Sequence, residues 1–444
     1  MLRLGHFIKL MLLVFLLVSP VRMALAGELS TDAVTLFKKY SPAIYQIQSI
    51  SSQSNKKHSL GSGFQISAEG YVVTNYHVVS DAVMFPGSFH IRTVSHEGRD
   101  RAAQVVGFDV IHDLALLKVK DPQKIELPLG SSEINKGQRL FSIGNPEDVG
   151  MMIIEGVANG YMDKALYKKV LTSLPLNPGM SGGPALDDQG NVVGINVMTA
   201  GNSLSFLVPV ECLQSLWAKT QAEKAQSLAD GLAGVNGKAV LADNFAGRIQ
   251  QQLIDQENSY IRKVIGRKWE KQRFGNFLVP AAIADEVSCW GAPRNDIEYW
   301  IERPYLECAI KDDLFISSSV RAHTVLLNYS LLSSRGYEPF RFYTLAGERF
   351  SKGYHFDLSE VFERDVDNFR CRTDIVKVGE NPFWVSTCAR RLKQLTRLYD
   401  INVLMASLGE MDTMLMVELT LGAVTKDTAK AFMDKFYKEL EWAE

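Results

Sequence analysis

None of the five cysteines stands in the paired short-gap spacing of a zinc site, and the chain has no HExxH run. No metal and no other cofactor is therefore expected. Positive charge is not in excess: 48 Lys and Arg face 50 Asp and Glu, a formal net charge of −2. Without a basic face to neutralise phosphates, a nucleic-acid partner is excluded. After the first turns of the chain no apolar run approaches the length that spans a bilayer. No cysteine follows the N-terminal apolar run either, so lipoprotein processing is not indicated.

What is present begins with a serine in a glycine cage. NPGMSGGP (Asn177–Pro184) surrounds Ser181 with Gly179, Gly182 and Gly183, residues that accept positive φ and let other backbone come close. Such a turn can aim two backbone N–H groups at the point where an oxyanion would form if Ser181 attacked a carbonyl. A serine hydroxyl needs an imidazole to take its proton, and the imidazole needs a carboxylate to fix its tautomer. Both stand upstream on segments that read as strands. YVVTNYHVV (Tyr71–Val79) is β-branched and aromatic and carries His77; HDLALLKV alternates like a half-buried strand after Asp113.

These pieces, in this order, resemble the trypsin-like serine peptidases, and within them the HtrA (Deg) branch of bacteria. The resemblance runs through SPAIYQI at Ser41, GSGF at Gly61, TNYHVV at Thr74 and HDLALLKV at His112. It continues with SIGNP at Ser142, NPGMSGGP, GNVVGINV at Gly190 and SFLVPV at Ser205. The resemblance implies a β-rich fold, a chymotrypsin-like double β-barrel with its active site in the cleft between the barrels. It also implies catalytic roles for His77, Asp113 and Ser181, and an oxyanion hole from the backbone N–H groups of Gly179 and Ser181. Pro175, Asn196 and Leu207 fall at substrate-binding positions; no acid sits at Pro175, so a small or medium aliphatic residue before the cut is expected. Met180 stands where the family carries Asn or Asp. That argues against activation by a freed N-terminus and leaves the resting shape of the oxyanion loop open.

The N-terminal segment has a basic start (Arg3, Lys9), an apolar core (Leu10–Val18) and an Ala24-Leu25-Ala26 ending, the pattern of a cleaved signal peptide over residues 1–26. Cleavage removes Arg3, Lys9 and Arg22 and no acid, so the formal charge moves from −2 to −5. The expected address is the periplasm of a bacterium, or export beyond it, with no permanent membrane span after cleavage.

Length predicts two to three domains: a peptidase domain over 27–220, a helix end and linker over 221–238, and an α+β domain over 239–444. Helices are expected over Val210–Leu228, Asn244–Gln272 and Thr425–Trp442. No glycine-rich carboxylate-binding loop supports a PDZ domain, which the resemblance would lead one to expect. Four cysteines lie in the C-terminal part, where an internal echo is present. Asp296-Ile297 precedes Glu302, Pro304 and Tyr305 as Asp374-Ile375 precedes Glu380, Pro382 and Phe383, and each copy reaches a Cys-Ala pair. The echo predicts a duplicated module with bridges Cys289–Cys308 and Cys371–Cys388; chance similarity of two strand-rich segments is the alternative.

The function expected is a serine endopeptidase acting on protein or peptide substrates. Its C-terminal domain would select substrates or meet a regulatory partner or a second protomer. A catalytically silent peptide binder or chaperone on the same scaffold is the alternative.

Overall fold

A computed structural model describes residues 29–201, 203–229, 244–296, 301–310, 312, 314–322, 325–334, 338–351, 362–410 and 412–443. The expected signal peptide, residues 230–238 of the expected linker and Ile297 of the echo lie outside the described residues. Among the described residues no helix is long and apolar enough to cross a membrane.

Helix α1 (Leu29–Tyr40) leads into β1 (Ile44–Ser51), β2 (Lys57–Ser67) and β3 (Tyr71–Thr74). Helix α2 (Tyr76–Met84) follows, then β4 (Phe89–Ser95), β5 (Asp100–Asp109) and β6 (Leu114–Val119). These six strands close into a barrel in the order β1-β2-β3-β6-β5-β4. A second closed barrel has the order β10-β11-β12-β9-β8-β7. It comprises β7 (Arg139–Gly144), β8 (Met152–Tyr161), β9 (Val170–Thr172), β10 (Pro184–Leu186), β11 (Val192–Thr199) and β12 (Ser205–Pro209). Helix α3 (Val210–Ala229) leaves it. This is the double barrel that the sequence implies.

Two local readings differ. His77 is not at the end of a strand: β3 stops at Thr74, Asn75 takes an extended conformation, and His77 lies in the first turn of α2. Strand β6 is buried along nearly its whole length rather than on alternate residues, because other elements cover the barrel wall it forms.

After α3 come α4 (Phe245–Ser259) and α5 (Ile261–Gly266). Asn244 caps α4, its side chain accepting from Gly247 N. The single helix expected to Gln272 ends early because Gly266 closes α5 and the chain then turns at Gly275-Asn276, Gly275 having φ of 61°. That two-residue turn, the kind that joins hairpin strands, pairs β13 (Lys271–Phe274) with β14 (Phe277–Pro280).

A seven-stranded antiparallel sheet follows. Its members are β15 (Val287–Asp296) and β16 (Ile301–Ile310), then β19 (Val325–Ser333) after the short hairpin β17 (Leu314–Phe315) and β18 (Arg321–Ala322). Helix α6 (Pro339–Ser351) precedes β20 (Arg370–Val378), β21 (Asn381–Arg391), β22 (Tyr399–Ser407) and β23 (Thr413–Val424). The order is β15-β16-β19-β23-β22-β21-β20. Helix α6 packs on one face against Leu332, Leu404 and Met416. Helix α7 (Lys426–Glu439) packs on the other with Leu327, Val403 and Leu419. Thr425 caps α7 by accepting from Thr428 N, and the buried Glu257 carboxylate accepts from Thr425 N and Oγ1. The chain then reaches β24 (Glu441–Trp442), which pairs with β14.

Cysteines bridge as the echo predicts, Cys289 to Cys308 and Cys371 to Cys388, each joining directly opposed residues of a hairpin. The hairpins occupy opposite edges of the sheet. Cys308 lies in register with Leu327, Leu419 and Val403, whereas Cys388 lies in register with Asn402 and Thr420. Opposed residues share a face, so the two bridges sit on opposite faces.

The halves are not independent bodies. Tyr76, Val79 and Val83 of α2 share one buried core with Ile249 and Leu253 of α4, Leu314 and Ile316 of the β17 region, and Leu395, Leu398 and Ala423. At its centre Asp81 of α2, 2% exposed, accepts from Ser318 N and Oγ at 3.0 and 2.7 Å and from Arg364 at 2.7 Å, and also contacts His58 Nε2. Burial pushes the Asp81 carboxyl up, but the hydrogen bonds from Ser318 and Arg364 outweigh it, leaving the carboxyl below its ordinary value.

A carboxylate depressed in this way contributes stability that is full above its unfolded value and lost as pH falls through its folded one. Asp81→Asn is expected to destabilise the chain by about 2–3 kcal/mol at neutral pH. The difference from wild type should narrow below about pH 4; thermal melts across pH check both. Thiol titration of the unreduced chain is expected to find one reactive cysteine, Cys212, the free cysteine of the five, and reduction should release the other four. Each bridge, at sequence separations of 19 and 17, is worth about 3 kcal/mol in the chain-entropy view.

Candidate active site

The site is assembled from the ends of paired strands. Thr74 of β3 lies opposite Ala115 of β6, so His77 and Asp113 leave the first barrel at the same rim. Asp113 adopts φ of 54°, a left-handed conformation that Asp tolerates better than most residues. Its backbone carbonyl accepts from Tyr76 N at 3.1 Å and Asn75 Nδ2 at 2.8 Å. Its carboxylate accepts from His77 N at 2.8 Å and meets His77 Nδ1 at 2.6 Å. The carboxylate thus sits at the N-terminus of α2, where the helix dipole favours negative charge. Nδ1 is committed to Asp113, which leaves Nε2 as the basic nitrogen.

The neighbouring His112 cannot fill that role. Burial pushes its pKa down, but its 2.7 Å bond to Asp109 and the nearby Cys212 hold it up to about 10. It is a cation at neutral pH.

Ser181 comes from the second barrel, between β9 and β10. Its loop is held from both barrels. Ser62 of β2 donates from its backbone to Ser181 O at 2.8 Å and from Oγ to Gly179 O at 2.7 Å, and Ser62 Oγ accepts from Asn145 N at 3.0 Å. Thr74 Oγ1 in turn donates to Ser62 O at 2.8 Å. Two glycines are obligatory here. At Gly179, φ is 94° and a Cβ would lie 2.7 Å from Asn145 O; at Gly182, φ is 84° and a Cβ would lie 2.4 Å from Ser62 O and 2.8 Å from Asn75 N. Gly182 therefore presses the serine turn against the residue two before His77. Among the described residues, the N–H groups of Gly179 and Ser181 meet no acceptor, so both are free to bind an oxyanion. Ser181 Oγ lies 3.4 Å from Val197 O, a weak contact, and the side chain is partly exposed.

Met180 is fully buried among Leu140, Leu174, Leu176 and Val193. Met180 thus gives the loop an apolar anchor, with Gly179 and Gly182 in positive-φ conformations.

Pro175, Asn196 and Leu207 do not converge on an open pocket. Pro175 is exposed, whereas Leu207 is buried in the second barrel's core. Asn196 is buried behind the serine turn, where its Nδ2 donates to Ser142 Oγ at 2.6 Å and Met180 O at 3.2 Å. Sequence reasoning missed this holding position, and missed Ser62 as the tie between barrels, although the GSGF motif contained it.

Two closed barrels, with a glycine-caged serine turn of one pressed against the strand end next to a histidine–aspartate pair, are the arrangement of the trypsin-like serine peptidases. Residues 61–195 match the family model described as "Trypsin-like peptidase domain". A stretch of 205 residues, 43% of this chain, is 34% identical to a probable periplasmic serine endoprotease DegP-like of Halomonas elongata, covering 42% of that protein. A stretch of 211 residues, 41% of this chain, is 30% identical to the chloroplastic Protease Do-like 1 of Arabidopsis thaliana, covering 47% of it. The chain thus spans less than half the length of these relatives. Among solved structures, a serine endoprotease from Yersinia pestis is similar at 25% identity over 42% of this chain and 66% of its own, with a TM-score of 0.37. Residues 61–195 thus form a trypsin-like peptidase domain, and the stretch around them is similar to the HtrA/Deg-type serine endoproteases.

Met180→Ala should cost about 2–4 kcal/mol through the cavity it leaves. It should also slow labelling of Ser181 by a fluorophosphonate, read as a lower melting temperature and a lower labelling rate.

Proposed function

We propose that the chain is a serine endopeptidase that cleaves exported proteins through an acyl-enzyme, with Ser181 as nucleophile, His77 as base and Asp113 as its orienter. The observation that carries this reading is the 2.6 Å contact between His77 Nδ1 and Asp113, set at a helix N-terminus beside the glycine-caged Ser181. Ser181 Oγ must leave Val197 O to meet Nε2; catalytic hydrogen bonds are often long before substrate arrives. Nε2 takes the Oγ proton as the scissile carbonyl is attacked and later gives it to the leaving amine, while Asp113 remains ionised. The oxyanion is received by the N–H groups of Gly179 and Ser181, each donor worth about 3–4 kcal/mol in comparable enzymes.

The peptidase domain is assigned to 27–220 and the α+β domain to 239–444, the latter selecting substrates or meeting a partner or second protomer. We read its halves as a duplication. Hairpins at opposite edges with bridges on opposite faces are what a twofold axis along the central strand β23 would produce. A periplasmic or exported setting is supported by the two bridges, which persist in oxidising compartments, by the apolar N-terminal segment, and by the relatives named periplasmic.

The contact of Ser181 Oγ with Val197 O rather than His77 favours the silent peptide-binder reading, and one experiment separates the two. A fluorophosphonate is expected to label the full chain and not Ser181→Ala, and Asp113→Asn is expected to lower turnover by about 10³–10⁴-fold. Absence of labelling under all conditions would establish the binder instead.

A further inference from the structure

The C-terminal half reaches the candidate active site through the hairpin β17–β18. The Phe315 ring lies 5.0 Å from the His77 ring, centroid to centroid, at an interplanar angle of 35°. The guanidinium of Arg321, on the opposing strand, lies 4.0 Å from the same Phe315 centroid. Phe315, His77 and Ser181 are all partly exposed, so the hairpin borders the cleft without filling it.

Its anchoring is fixed rather than lid-like. Tyr76 Oη donates to Ile316 O at 2.8 Å, and Ser318 is bonded to Asp81 through both N and Oγ. Asp312, just before the hairpin, accepts from Leu166 N at 2.5 Å and pairs with the buried Lys169. The strap is therefore tied to α2 on the first barrel and to the β8–β9 connection of the second. Leu314, Ile316 and Val320 are buried in the shared core. Swinging the hairpin away would expose these apolar residues and split a buried ion pair, a large penalty.

We propose that Phe315 is a specificity-determining residue of the Ser181 cleft. Supplied by the C-terminal half, its ring forms an apolar wall beside His77 that receives an apolar or aromatic substrate side chain next to the scissile bond. The proposal rests on the peptide-binding cleft proposed above, but it concerns binding and not the acyl-transfer step. An aromatic surface at this place recognises such side chains by area burial and by ring–ring contact.

The test uses the full chain with Ser181→Ala and a panel of peptides that differ only in the residues flanking one bond. Fluorescence anisotropy should show that adding Phe315→Ala weakens binding of peptides with Leu or Phe at the responsive position about tenfold. Peptides with Gly or Ser there should change less than about twofold, and Phe315→Tyr should restore the preference. Where the alanine variant fails to fold, Phe315→Leu, which keeps apolar packing, is expected to lower the preference for Phe over Leu by about threefold. Equal weakening for every peptide would reduce Phe315 to a structural role and overturn the proposal. Tighter binding on removal of the ring would make the hairpin an occluder and overturn it too, as would failure of any peptide to bind the parent. Fluorophosphonate labelling of the Ser181 chain is scored separately: its failure sinks the endopeptidase reading, while the peptide preference alone decides the role of Phe315.

Discussion

One nine-residue helix, Tyr76–Met84, is tied down through two buried carboxylates, one facing its first turn and one carried on the helix itself. Asp113 binds its first turn through His77 N and Nδ1. Asp81, one turn further along the helix, binds Ser318 and Arg364 of the C-terminal half. Much of the molecule depends on this arrangement, because it fixes the imidazole in angle and tautomer and fixes the distant hairpin against the imidazole. Buried charges are costly unless fully bonded. Here each carboxylate has its oxygens occupied by N–H or O–H donors, so the penalty is offset and the helix has little freedom to move.

The second constraint is the tie between barrels. Ser62 sits on the first barrel yet holds two carbonyls of the second barrel's serine turn, and Asn196 holds a third from behind. The turn is thus stretched between a polar bracket and the apolar Met180 anchor. The hydrogen bonds and apolar contacts that hold it come from within the described chain.

The His77–Asp113 pair and the glycine turn around Ser181 were legible because each stands in a short local motif. The same locality explains the two bridges, since both close hairpins. The helix expected over Asn244–Gln272 was drawn too long because charged residues spread around a helix look much like charged residues on a small exposed sheet, and Gly275-Asn276 was the overlooked signal. Asp81 and Phe315 could not be read at all. Asp81 meets Arg364 across 283 positions of sequence, and no period or spacing in a single chain encodes such a meeting. Substrate-binding positions were carried over by alignment alone, and burial separates Asn196 and Leu207 from any open surface.

The core shared by helix Tyr76–Met84 with Leu395, Leu398 and Ala423 has a consequence for biogenesis. A chain made from its N-terminus presents the serine and histidine motifs early, whereas the core behind the histidine helix also takes in side chains as late in sequence as Ala423. Contacts this distant in sequence form late, after the entropy of closing long loops has been met. The packing behind His77 is then completed well after the two barrel motifs have been made.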